Sequence, residues 1–177
     1  MKLHLGCFNK KIHGFINVDI REDVSPDAVD DVFTLYTFPD NYAELIYACH
    51  VLEHASREDA KMALKNWYRV LKPNGILRIA VPDMAKHFAH YFYYGNLDIL
   101  NSALWGSQRH EYDFHYHGWD EKTIKRDLEA AGFIYKGRYD WRKTEHHYID
   151  DYSQAYQPHM DKENGMLMSL NVEAIKP

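Results

Sequence analysis

The sequence is short of several things, and each shortage excludes something. It has two cysteines, Cys7 and Cys49, far apart in the chain. Two such thiols make no disulfide framework, so a reducing, cytoplasmic setting is expected. It has no basic tract: 21 Lys and Arg stand against 26 Asp and Glu, for a net charge of −5. That balance speaks against nucleic acid as a partner. No apolar run approaches the ~20 residues of a membrane helix, so no membrane span is expected. No charged-then-apolar leader precedes the first apolar segment, so nothing points to secretion. The nine glycines nowhere form a three-glycine G-x-G-x-x-G loop. There is no repeat, low-complexity run or linker, and 177 residues are expected to fold as one domain, 1–177, with a real core.

What is present is organised around the first twenty residues. Leu3 and Leu5 lead into Gly6 as a short strand that stops at a glycine. Phe15, Ile16, Val18 and Ile20 form a second, β-rich run with Asp19 near its end. In an open parallel sheet, ligands bind beyond the carboxyl ends of the strands. There Gly6 lets a ligand approach the backbone, and Asp19 can accept hydrogen bonds from a ribose diol. Only eight residues separate Gly6 from Phe15, fewer than a parallel crossover normally uses. The first crossover helix is therefore expected to be very short or absent. One face of the sheet then needs a cover, either the C-terminal segment or a second copy of the chain in a homodimer.

Further along, residues 27–32 read as a short strand ending in Asp30, Asp31 and Val32. Residues 45–49 read as a central strand. Ser56, with Asp59 three residues on, resembles a capping box. It opens a helix whose stripe is Ala60, Ala63, Leu64, Trp67, Tyr68 and Leu71. The breakers Lys72-Pro73-Asn74-Gly75 end that helix, and residues 76–81 form the next strand, closed by Pro82-Asp83. Met84–Tyr94 and Leu97–Trp105 read as helices. Residues 106–118, rich in His and aromatic residues, read as a loop. Asp120 caps a helix with Ile124, Leu128 and Ala131 inward and Gly132 past its end. Residues 133–139 and 166–175 read as strands around an irregular stretch. Strands alternating with helices argue for an α/β sheet.

Taken in order, LHLGC, GFINVDI, the DDV turn, IYACHVLEH, NWYRVLKPNGILRIAVPD and LEAAGF resemble class I S-adenosylmethionine-dependent methyltransferases. The resemblance is to the small "predicted methyltransferase" type associated with polysaccharide biosynthesis. It implies a Rossmann-like, seven-stranded, mostly parallel sheet with the last strand antiparallel. It implies S-adenosylmethionine as cofactor, S-adenosylhomocysteine as product, and a small-molecule or glycan acceptor. It also implies positions. Leu5, Gly6 and Cys7 pass the methionine part, Asp19 takes the ribose hydroxyls, and Ile20 packs on the adenine. Asp31 accepts from the adenine amino group, the Val32 N–H reaches a ring nitrogen, and Cys49 and His50 line the sulfonium end. Phe8 departs from the pattern, since many members carry a second glycine there.

Methyl transfer to a hydroxyl needs a positioned acceptor and a base. The expected bases are Asp83, at the end of a strand, and Asp113 and His115 in the loop; equally, Asp83 can cap the helix that starts near Met84, and His115 and His117 can be hydrogen-bonded loop residues. Trp105, Gln108, Arg109 and His117 are the expected acceptor contacts. His50-Val51-Leu52-Glu53-His54 fits H-x-x-E-H, a zinc-binding pattern when helical. It follows an apolar strand directly, so Glu53 and His54 are expected instead to orient the loop and cap backbone groups. A divalent metal held by Asp83, Asp113 and Asp151 is compatible with the sequence, but nothing in the spacing calls for it, and no metal ligand is assigned. The readings that compete with a sugar O-methyltransferase are another small-molecule methyltransferase, a cofactor-binding module without turnover, and a zinc hydrolase.

Overall fold

The computed structural model describes residues 1–177. Its centre is a seven-stranded sheet built from β1 (Lys2–Leu5), β2 (Ile16–Asp19), β3 (Ala28–Val29), β4 (Ala43–Cys49), β5 (Leu71–Pro82), β6 (Ile134–Arg138) and β9 (Ser169–Ile175). The order across the sheet is β3-β2-β1-β4-β5-β9-β6. All neighbours are parallel except β9, which runs antiparallel to both β5 and β6. Strand order reverses between β1 and β4, which places a binding crevice at their carboxyl ends. A separate two-stranded ribbon pairs β7 (Tyr156–Gln157) with β8 (Met166–Leu167).

Side-chain alternation along the strands assigns the two faces. Leu3, Leu5, Ile46, Ala48, Leu77, Ile79 and Val81 belong to one buried cluster with Leu64 and Trp67 of helix α1 (Arg57–Val70) and Ile124 and Leu128 of α4 (Glu121–Ala130). The Trp67 indole N–H donates to the Val32 carbonyl at 2.7 Å. The Arg69 guanidinium donates to the Phe38 and Leu35 carbonyls. These bonds hold the loop after β3 against α1. The Ser56 cap forms as expected, accepting from the Asp59 N–H at 3.2 Å. Asp59, one carbon shorter than Glu, returns its carboxylate to the Ser56 hydroxyl at 2.6 Å rather than to the backbone.

No helix joins β1 to β2, as their short connection, residues 6–15, requires. The face this leaves open is covered by the chain's own residues 141–157. The Tyr47 hydroxyl donates to Asp151 Oδ2 at 2.7 Å, and the Tyr47 and His146 rings lie 4.1 Å apart. Arg78 binds Glu145 and Glu173 at 2.8 and 2.7 Å. The covering layer is mostly irregular, so its backbone groups need partners. The sheet supplies them with polar side chains on a buried face: Asn171 Nδ2 donates to the Ser153 carbonyl at 2.8 Å.

Three strands differ from expectation, the last because the run 166–175 breaks at Met168, so that Met166–Leu167 joins the ribbon and only Ser169–Ile175 enters the sheet. The third is only Ala28–Val29, because Asp30 and Asp31 turn inward to bind their own loop: Asp30 Oδ2 accepts from the Thr37 N–H and hydroxyl, and Asp31 Oδ1 accepts from the Phe33 N–H at 2.9 Å. The fifth begins at Leu71 and absorbs Lys72–Gly75 as a bulge, with Asn74 left-handed at φ 62°. The breakers end α1 without ending the extended chain. Helices α2 (Met84–Tyr94) and α3 (Leu97–Trp105) have the expected bounds.

Candidate active site

The crevice end of the sheet gathers the residues expected at the cofactor. Asp19 closes β2, is buried, and ties the two first loops together. Its Oδ2 accepts from the Phe8 N–H at 2.8 Å and its Oδ1 from the Arg21 N–H at 3.0 Å. Each oxygen keeps a lone pair for another donor. Ile20, the next residue, is 44% exposed and offers an apolar face beside that carboxylate. Asp31 is partly exposed and spends only Oδ1 within its loop. Gly6 is left-handed at φ 63°. Leu5 is fully buried in the core, so only its backbone is available to a ligand. Cys7 likewise turns its side chain inward, and burial pushes its thiol up to about 11. Val32 is buried and its carbonyl is taken by Trp67. Cys49 ends β4, and His50 follows in the left-handed region at φ 51°, its N–H bound to the Ala80 carbonyl at 2.8 Å.

His50 turns the chain into a single 3₁₀ turn, Leu52–His54. The Glu53 side chain is fully buried, and its Oε1 lies 3.2 Å from His50 Nδ1. Burial opposes its charge, yet the imidazoles of His50, His54 and His115 hold the carboxyl below its ordinary range. The loop 106–118 packs against this turn. The Glu53 carbonyl accepts from the Tyr116 N–H at 2.9 Å, and His54 Nδ1 bonds to the Phe114 carbonyl at 3.0 Å. Glu53 and His54 thus do orient the loop.

The expected bases separate cleanly. Asp83 is fully buried and caps α2, with Oδ1 accepting from the Lys86 N–H at 3.3 Å and Oδ2 held by Arg138 at 3.0 Å. Both its oxygens are thus engaged, which favours the capping reading of Asp83 over a place among the bases. Asp113 binds the Ser107 hydroxyl and the Arg109 N–H and thereby closes the loop on itself. Burial works against its charge, but these donors hold its carboxyl below the usual range. It too is engaged rather than free. His115 differs: Nδ1 bonds to the Ala103 carbonyl at 2.8 Å, so that nitrogen carries the hydrogen and Nε2 keeps its lone pair. Burial lowers its pKa, and the ring is neutral at neutral pH.

A cleft of about 480 Å³ lies between α2, α3 and the loop rather than over the ends of β1 and β2. It brings together Trp105, His115 and His117 with Met84, Phe88 and Trp119. Gln108 and Arg109 are exposed on the loop outside it. Asp151 lies on the covered face, bound to Tyr47 and Ser153, and does not converge with Asp83 and Asp113. The grouping that sequence reasoning missed is Glu53, His54 and His115, which come within 4.8 Å of one another. The H-x-x-E-H pattern held two of its three members. The third comes from the returning loop, which no local spacing encodes.

Comparison with known proteins gives the following. Residues 15–79 match the family described as a methyltransferase domain. No curated protein matches the sequence. Among solved structures, a SAM-dependent methyltransferase from Methanosarcina mazei is 18% identical with a TM-score of 0.65, over 99% of this chain and 91% of that one. One from Archaeoglobus fulgidus is 18% identical with a TM-score of 0.59, over 99% and 85%. An S-adenosylmethionine-dependent methyltransferase from Mesorhizobium loti is 14% identical with a TM-score of 0.62, over 99% and 90%. At these identities the likeness to solved structures is one of fold.

Proposed function

With a methyltransferase domain matched from β2 through most of β5, on a sheet shared with S-adenosylmethionine-dependent methyltransferases, we propose that this protein is a methyltransferase using S-adenosylmethionine to methylate an acceptor hydroxyl, on a sugar or glycan. When bound, the sulfonium of the cofactor supplies an already activated methyl group. The chain's part is to bind, orient and deprotonate. The observation that carries the reading is Asp19, a buried carboxylate at the carboxyl end of β2 with acceptor capacity left on both oxygens. In this reading it receives the ribose hydroxyls, exposed Ile20 packs on the adenine, and Asp31 receives the adenine amino group through its unused oxygen.

The acceptor enters the cleft of Trp105, His115 and His117. Flat rings interleaved with hydrogen-bonding imidazoles support a sugar there, since aromatic faces cover apolar C–H surface while polar tips bind hydroxyls. His115 takes the acceptor proton on Nε2, the nitrogen its bond to Ala103 leaves free. Both cysteines are unpaired, in keeping with a reducing cytoplasm, and no helix is long and apolar enough to cross a membrane.

Calorimetric titration with S-adenosylhomocysteine tests the reading. Wild type binds in the micromolar range, and Asp19→Ala binds about 1–3 kcal/mol more weakly, the scale for leaving hydrogen-bonding groups unpaired. A well-folded wild type that binds nothing overturns the cofactor assignment. Binding with no methylation of any sugar or small-molecule acceptor identifies a binding module instead. Turnover that survives His115→Ala undiminished removes that residue from the base role.

A further inference from the structure

We propose that Glu53, His54 and His115 form a binding site for a divalent transition-metal ion of the Zn²⁺ or Co²⁺ class. Three observations converge on it. The Glu53 side chain is fully buried, and neither carboxylate oxygen has a hydrogen-bond partner. A buried carboxylate is costly unless paired and hydrogen-bonded, or bound to a metal. The contact with His50 Nδ1 at 3.2 Å reaches one oxygen and leaves the other with nothing.

The second observation is the state of the two imidazoles. A carbonyl can only accept, so the bonds from His54 Nδ1 to Phe114 at 3.0 Å and from His115 Nδ1 to Ala103 at 2.8 Å put the hydrogen on Nδ1 in both rings. In the neutral form of each ring, Nε2 is then the nitrogen that carries the lone pair. A ring that gives its other N–H to a backbone carbonyl, fixing tautomer and direction, is how metal-bound histidines are held.

The third is proximity: one ligand atom from each residue lies within 4.8 Å of the others. Tetrahedral bonds of about 2.0–2.1 Å separate neighbouring ligand atoms by about 3.3 Å. Closure therefore asks the three groups to draw in by about an ångström or somewhat more. Two imidazoles and one carboxylate select borderline transition ions over Mg²⁺ and Ca²⁺, which prefer all-oxygen shells. Three protein ligands also leave a coordination position open.

Such an ion pins the loop 106–118 to the turn after β4, beside His50. One consequence rests on the proposed function. An acceptor hydroxyl bound at the open position loses its proton to solvent as its pKa falls, and its oxygen then attacks the methyl carbon as the C–S bond breaks and sulfur keeps the electron pair. With the ion bound, His115 acts as a ligand in place of a base.

The test uses neither donor nor acceptor. Untagged protein is stripped with EDTA and titrated with Co²⁺ while the visible d–d absorption is followed. Wild type is expected to take up one Co²⁺ per chain, displaced by one equivalent of Zn²⁺. Affinity should fall by at least roughly 10–100-fold, the scale already seen for loss of outer-shell partners, in Glu53→Gln and in His115→Ala. His115 sits in a loop, so its variant keeps the test decisive if Glu53→Gln fails to fold. Zn²⁺ should also slow tryptic cleavage after Arg109 in wild type and leave His115→Ala unprotected. The absence of stoichiometric uptake by wild type overturns the proposal, as does uptake that His115→Ala leaves unchanged. A wild type that binds no metal yet binds S-adenosylhomocysteine removes this site and leaves the methyltransferase reading standing.

Discussion

Gly6 is constrained twice at a single atom. Its φ of 63° is one that L side chains avoid, and an added Cβ would lie 2.5 Å from Val51 Cγ2. Gly6→Ala is expected to cost about 1–2 kcal/mol for the left-handed backbone and about 1–3 kcal/mol for overpacking. Urea unfolding measures the sum. Adding Val51→Ala should return the steric share and leave the conformational one. A Gly6→Ala protein as stable as wild type would show that the β1 turn is not constrained in this way. At this scale the sequence was legible where chemistry depends on backbone position, as at Gly6 and Asp19. It left Asp83 open between helix cap and base, because a carboxylate at a strand end reads the same whether it is free or anchored. Its anchor, Arg138, comes from β6, fifty-five residues away in sequence.

Among elements, α4 is the most exposed to a single change. Asp120 accepts from the Thr123 N–H at 2.8 Å while Thr123 returns its hydroxyl to the Asp120 N–H, a complete capping box. The residue after the cap, Glu121, holds Arg138 at 2.7 Å, and Arg138 holds Asp83. Asp120→Ala is therefore expected to cost about 0.5–2 kcal/mol, read as a lower urea midpoint. A midpoint within error of wild type would mean that the box carries no net stability. The bounds of α2 and α3 could be read from caps and periodicity, since Asp83, Gly95, Asn96 and Gly106 act locally. The third strand could not, because the inward turn of Asp30 and Asp31 depends on partners at Phe33 and Thr37 that apolar patterning does not report.

For the whole molecule, buried histidines on the covered sheet face and on α2 set the response to acid. Burial pushes His146 and His87 down to about 4 from an ordinary 6.5. Between those values the unfolded chain takes up protons that the folded chain refuses, so stability falls as pH drops from 6.5 toward 4. Glu145 works in a lower window. Although burial opposes its charge, Arg78 and Lys2 hold it at about 2, so its contribution is present above its ordinary 4.5 and lost below that. His146→Gln is expected to flatten the upper slope, at most about 1.4 kcal/mol per pH unit per histidine, in urea midpoints compared across that window. An unchanged slope would place the acid sensitivity elsewhere. The sequence showed that the open face needed a cover but not how the tail docks on it, since that rests on pairings such as Tyr47 with Asp151 across more than a hundred residues.

The position of β9 has a consequence in time. Residues 169–175 are made after every other strand of the sheet, yet they sit inside it, between β5 and β6. Until they emerge, β6 has no neighbour and β5 offers an unpaired edge beside the apolar face that α1 and α4 will share. Open edges of this kind pair with other chains, and transiently exposed core surface makes an incomplete fold prone to aggregate. Synthesis therefore passes through an interval in which β1 to β6 exist and the sheet cannot yet close, and that interval lasts until β9 is free to insert.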